Sequence, residues 1–300
     1  MATVPFDRST LPTDQPGKRR KYNIGNIVVR VLFWLLVAFI FVYTVFPFVW
    51  ALLAAVKPDS DISSTPTQYL PSKLYWGNLS YVFHQRDFLY ALRNSVIASL
   101  ATVAIALVFG SLAAYALGRI KFRGRNITLY VILAMTMFPA IAILGSLFQM
   151  MRNFHLYNTI PGLVLTYMTF TLPFTVWVLS NFFKAMPGEL EEAALVDGST
   201  PFQAFYKIML PLAMPGLVTT GLLAFIAAWN EFLFSLTFTN TYAARTVQPA
   251  IASFRGNTQY EEPWGSIMAA AVVVTVPLVI LVLIFQRKIL AGLTPGAVKG

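Results

Sequence analysis

Long apolar runs, separated by short polar and helix-breaking segments, dominate the chain. An α-helix rising about 1.5 Å per residue needs about 20 apolar residues to cross bilayer hydrocarbon. Six stretches reach that length, at roughly residues 27–55, 93–117, 127–150, 160–183, 215–238 and 264–286. The pattern predicts an all-α membrane protein of six transmembrane helices, with a tail over 1–26, a helical domain over 27–286 and a second tail over 287–300. Pro47, Pro139 and Pro173, with Gly110 and Gly145, fall inside the runs. Kinks and close helix packing are expected there, because neighbouring helices can satisfy the backbone groups that such residues free.

Charge sets the orientation. Six crossings place both termini on one side, which carries fourteen of the 22 basic residues against seven on the other, with Arg30 in the first run. The positive-inside rule puts the richer side, and both termini, in the cytoplasm. Lys18-Arg19-Arg20-Lys21 precedes a run much longer than a signal-peptide core, so the start reads as a cytoplasmic tail and first span. The composition agrees: of 300 residues 57% are hydrophobic and 11% charged, and the mean hydropathy is +0.66. The solvent implied is lipid. The net charge of +10 does not point to nucleic acid, because the bases lie in short clusters beside apolar runs. With no cysteine, disulfides, thiol catalysis and Cys-metal sites are excluded.

One cytoplasmic connection, residues 184–214, breaks the apolar pattern with four acids against two bases. Pro187-Gly188 precedes Glu189, Glu191 and Glu192, and acids in a first turn oppose the positive end of the helix dipole. This first helix should end near Asp197-Gly198, since glycine takes a left-handed cap without steric cost. Thr200-Pro201-Phe202-Gln203 has the form of a capping box opening a second helix, which Pro211 should limit. An exposed acidic pair of short helices suits a partner that presents arginine.

Glu192-Ala193-Ala194, then Gly198, then Ile208, Leu210 and Pro211 keep the spacing of the EAA signature. On these residues the chain resembles the permeases of ATP-binding-cassette (ABC) importers. With "AWNEF" at 228–232, "QYEEPWGS" at 259–266 and the tail "QRKILAGLTPGAVKG" at 286–300, it is similar to the G-type membrane subunit of binding-protein-dependent sugar importers of the maltose/trehalose group. The resemblance implies a type I importer architecture. Glu192 would pair with a base of a cytoplasmic ATPase subunit, Ala193 and Ala194 would pack into its cleft, and Gly198 would turn the chain. The outer loop Asn257, Thr258, Gln259, Tyr260, Glu261 and Glu262 would enter an extracytoplasmic sugar-binding protein. Gly292, Leu293, Thr294, Pro295 and Gly296 would reach the ATPase subunits. It also implies a second homologous permease, two ATPase subunits that bind ATP and Mg, and residence in a bacterial or archaeal inner membrane.

Glu231 is the one acid inside an apolar run, about 22 Å along a helix counted from Gly216. An intramembrane carboxylate must face protein or water. With Trp229 and Asn230 it lines a path for a polyhydroxylated solute, makes a polar contact between helices, or sits at the interface near the outer surface. No phosphate loop, H-E-x-x-H or G-x-S-x-G occurs, and His84 and His155 are isolated, so the chain itself is expected to hold no metal, cofactor or ATPase site. The alternatives are an ion-coupled secondary transporter, disfavoured by the absence of a clear repeat, and an ABC permease for a non-sugar or glycerol-phosphate-type solute.

Overall fold

A computed structural model describes residues 24–255 and 262–293, and every regular element among them is helical. The chain divides into two units, residues 1–50 and 51–300. The described part of the first is residues 24–50 of helix α1 (Ile24–Ala55), which carries an apolar run through Pro47. Along it Phe39 stacks on Tyr43 and Phe46 on Trp50, pairs four residues apart on one helix face.

The second unit continues with α2 (Asp59–Ile62), α3 (Gly77–His84), α4 (Arg86–Arg119), α5 (Arg125–Thr136), α6 (Ala140–Asn153) and α7 (Ile160–Ala185). Then come α8 (Glu189–Val196), α9 (Pro201–Ala204), a π-helical turn (Phe205–Met209), α10 (Leu210–Leu212), α11 (Met214–Trp229), α12 (Leu233–Phe238), α13 (Val247–Ala252) and α14 (Trp264–Leu293). Helices α4 and α7 form the central pair, and α11 packs against both. One apolar cluster joins Val82, Phe88, Phe225, Trp229, Val247 and Val274. A second gathers Tyr115, Leu179, Phe183, Phe205, Met209 and Leu217 at the other end of the same helices. A third, around Met151, Leu163, Tyr167, Phe234 and Phe238, holds α6 and α12 to α7.

Among the described residues four helices are long and apolar enough to cross a membrane, and two bent pairs raise the number to six. The expected third span is α5 plus α6, bent by 92°. Pro139 sits at the break, where its ring excludes the α region for Phe138. The expected fifth span, 215–238, is not one helix: α11 stops at Trp229, and the bent pair includes Pro201–Leu212 before it, at 74°. Helix α4 starts at Arg86 rather than 93, with Asp87 in its first turn. Helix α14 continues past 286 to Leu293, so the expected tail begins as helix.

The connections around α3, α4 and α13 are organised. Asn78 donates from Nδ2 to the carbonyls of Ala55 and Lys57, at 3.2 and 2.8 Å. Asn94, near the start of α4, donates to the carbonyls of Tyr242 and Arg245, at 2.9 and 3.1 Å, and the Val247 amide donates to Ser95 Oγ at 2.8 Å. The turn into α7 is similarly fixed. Gly162 N donates to Thr159 Oγ1, whose hydroxyl donates to the Leu156 carbonyl at 2.7 Å.

Asp61 is buried between α2 and the segment after it, accepting from Ser72 N at 2.8 Å and Ser72 Oγ at 2.7 Å. These bonds, the hydroxyl first, hold its carboxyl below the ordinary carboxylate range, while burial opposes the shift. A depressed folded-state value makes the stabilisation complete above the unfolded Asp range near pH about 4 and lost as pH falls through the lower folded value. Amide hydrogen exchange in 59–75 should therefore rise as pH is lowered through that window, after correction for intrinsic exchange. In Asp61→Asn the same segment should exchange faster throughout and lose the pH-dependent step.

Candidate functional site

The EAA segment folds as its local chemistry predicts. Helix α8 begins after Pro187-Gly188, carries Glu189, Glu191 and Glu192 in its first turn, and ends at Val196. Gly198 takes φ +84°, the left-handed conformation that a side chain resists. Thr200 Oγ1 accepts from Gln203 N at 3.2 Å and Gln203 Oε1 accepts from Thr200 N at 2.8 Å, completing the capping box. The second helix passes Pro211 instead of stopping there, continuing to Leu212. A π-helical turn over Phe205–Met209 ends two residues before the proline. Its wider ladder interrupts the regular i to i−4 pattern that the ring would otherwise break.

The acids of this loop have different fates. Glu191 faces its own chain: Arg119 Nε donates to its Oε2 at 2.8 Å, and Tyr115 OH donates to Oε1. The same guanidinium also donates to the carbonyls of Met186 and Pro187, at 3.0 and 3.4 Å. The Arg119 and Glu191 side chains are only 13% and 19% exposed, so the pair is shielded from water and more effective than a surface ion pair. The Tyr115 ring lies 4.9 Å from Phe205 and 5.7 Å from Phe183, centroid to centroid. Neighbouring Arg125 donates to the carbonyls of Leu117 and Gly118, at 2.6 and 2.7 Å, tying α5 to the end of α4.

Glu189, Glu192 and Asp197 remain exposed, together with Ala193, Leu195 and Val196. Ala194, expected on the outward face, is 3% exposed and packs within the chain. Ile208 and Leu210 are half-buried and Pro211 is exposed. Nothing in the sequence marked Tyr115, Arg119 or Glu191 as partners. Arg119 was counted only as a cytoplasmic charge.

Trp229, Asn230 and Glu231 do not share one surface. Trp229 is 1% exposed and stacks on Phe225, while Asn230 is exposed and caps the end of α11. Glu231 lies beyond α11, not within a helical span. Its two oxygens accept from Phe234 N at 2.7 Å and Ser235 N at 3.0 Å, which caps α12. The apolar run continues across the break and hides it. A carboxylate followed by free amides three and four residues on was the available signal. Glu231→Gln keeps one acceptor, so we expect the uptake affinity of the assembled transporter to be unchanged while the Phe234 and Ser235 amides exchange faster. An altered affinity at unchanged exchange would assign the carboxylate to the solute path.

Of the residues expected in an outer loop, Asn257, Thr258, Gln259, Tyr260 and Glu261 lie outside the described residues. Glu262 is exposed, and its carbonyl accepts from Trp264 N at 2.8 Å. Gly292 and Leu293 close α14, while Thr294, Pro295 and Gly296 lie outside the described residues.

Comparison with known proteins fits this geometry. The chain is 45% identical over 272 residues to the trehalose transport system permease protein SugB of Mycobacterium tuberculosis, covering 90% of this chain and 98% of that protein. It is 40% identical over 280 residues to the trehalose/maltose transport system permease protein MalG of Thermococcus litoralis, covering 92% and 99%. Its fold matches a chain of a bacterial ABC transporter involved in the import of the acidic polysaccharide alginate, with a TM-score of 0.77 at 20% identity over 89% of this chain and 98% of that one. Residues 106–294, which include α8 and its anchors, match the family model described as binding-protein-dependent transport system inner membrane component. By that match and by its close relatives, the chain belongs to this family of membrane-spanning transport components.

Proposed function

We propose that the chain is a permease subunit of an ATP-driven importer that carries a disaccharide or short oligosaccharide of the trehalose/maltose type by alternating access. The observation that carries this reading is the exposed Glu192-Ala193 edge of α8, left free while Glu191 is neutralised internally. An exposed carboxylate on a capped helix can engage arginine on an ATPase subunit. The relatives' trehalose and maltose transport favours the same solute class here.

In this reading a second homologous permease completes the membrane portion, and two cytoplasmic ATPase subunits bind ATP and Mg. The chain holds no cofactor, and both its termini are cytoplasmic. The segment 257–262 meets an extracytoplasmic sugar-binding protein, and 292–296 extends toward the ATPase subunits. Closure of the ATPase pair would then move α8 and, with it, the membrane helices as a rigid-body switch.

A tagged chain purified in mild detergent from its native membrane should bring an ATPase, a second permease and a sugar-binding protein. Its reconstituted uptake of labelled trehalose or maltose should require ATP inside and survive an ionophore. A chain that purifies alone and transports in response to an ion gradient would replace this reading with secondary transport.

A further inference from the structure

Helix α8 is only eight residues long and cannot transmit force unless something fixes it to the membrane helices. Its fixture is unusually specific. Tyr115 and Arg119 lie one turn apart on α4 and together occupy both oxygens of Glu191. Arg119 also holds the two carbonyls immediately before α8. Tyr115 is 7% exposed and its ring packs on Phe183 of α7 and Phe205 of the π-helical turn, so one side chain on α4 touches three further elements. We infer that Tyr115, Arg119 and Glu191 form a clamp that makes α8 move as one body with the cytoplasmic ends of α4 and α7, and that these are positioning residues for transport coupling.

The inference rests on the coupling role proposed for α8, but the clamp is distinct from the docking edge. Glu192 and Ala193 point to solvent, whereas Glu191 points into its own chain. Docking needs an exposed partner surface; transmission needs internal stiffness. Two hydrogen bonds to one carboxylate plus two to the preceding carbonyls fix both the rotation and the position of α8. Removing the guanidinium leaves Glu191 half-buried without its counter-charge and releases the chain before α8.

The test uses spin labels at Lys121, just beyond α4, and Val196, at the exposed end of α8, in the full chain with whatever subunits co-purify. Pulsed distance measurement should give one narrow distribution in the wild-type background, unchanged by ATP with vanadate. Arg119→Gln and Tyr115→Phe should broaden it. Where the ATPase is present, both variants should retain it at normal yield while stimulation of hydrolysis by the binding protein falls about tenfold, within the ordinary range of allosteric coupling. The exchange Arg119→Glu with Glu191→Arg should restore the narrow distribution and part of the stimulation.

A narrow distribution in both single variants, a wild-type distance that shifts on ATP binding, or loss of the ATPase from Arg119→Gln would each overturn the clamp. Purification of the chain without any ATPase would defeat the coupling role of α8 instead, and the distance measurement would still decide whether the clamp exists.

Discussion

Glu192→Arg is expected to remove the ATPase subunit from the purified complex and to abolish ATP-driven uptake if α8 docks as proposed. Glu192 is exposed on α8 and free of the bonds that occupy Glu191, so its charge is available to a partner. If that partner presents arginine, the substitution replaces attraction with repulsion, and facing like charges across an interface costs on the order of several kcal/mol. Glu192→Gln removes only the attraction and should weaken retention less. The chain should still fold in both variants, because Glu192 holds none of the described contacts that anchor the loop to α4. Retention is read by ATPase yield after detergent washing, and uptake by labelled sugar in vesicles. Full retention and wild-type uptake in Glu192→Arg would remove α8 from the docking surface.

Gly162→Ala has the largest expected effect on folding. A Cβ at this position would stand 2.2 Å from the Leu156 carbonyl oxygen and 3.1 Å from both the carbonyl carbon and Thr159 Oγ1. The obstruction is backbone, and it is held in place. The amides of Leu156 and Tyr157 donate to the Met151 carbonyl at 2.8 and 3.2 Å, and Asn158 N donates to the Phe238 carbonyl at 2.8 Å. The turn therefore cannot yield without breaking α6 and α12 from α7. Overpacking a constrained site costs about 1–3 kcal/mol, and a contact this short against backbone belongs at or above the upper end. The thermal midpoint in detergent, followed by size-exclusion recovery, should fall clearly below wild type. An unchanged midpoint would mean that the α6–α7 connection is less constrained than its bonds imply.

The sequence made legible what is written within a few residues. Apolar run length identified the membrane helices, and Pro187, Gly198 and the Thr200–Gln203 pair located α8 and α9. Hydropathy does not register a change of direction, so the bend at Pro139 and the break after Trp229 were merged into continuous spans. Glu231 was consequently placed inside a helix when it caps the next one. The clamp was illegible for a different reason. Tyr115 and Arg119 are separated from Glu191 by 76 and 72 positions, and only the packing of α4 against α7 brings them together. The EAA spacing marked Glu192 and Ala193, which are exposed, but gave no sign that their neighbour Glu191 serves the interior.

Helix α4 is bonded at both ends to segments on opposite sides of the apolar layer. Asn94 holds the carbonyls of Tyr242 and Arg245 at one end, and Arg119 holds Glu191 at the other. The intervening helix measures about 37 Å at 1.5 Å per residue. A rod fastened this way gives thermodynamics no preferred direction. Any ligand that favours one position of the connection held by Asn94, by way of α4, changes the free energy of a ligand at α8, and the second must change the affinity of the first by the same factor. In the proposed importer, delivery of sugar outside and binding of nucleotide inside would be two sides of one reciprocal equilibrium, with the single helix α4 as their common term.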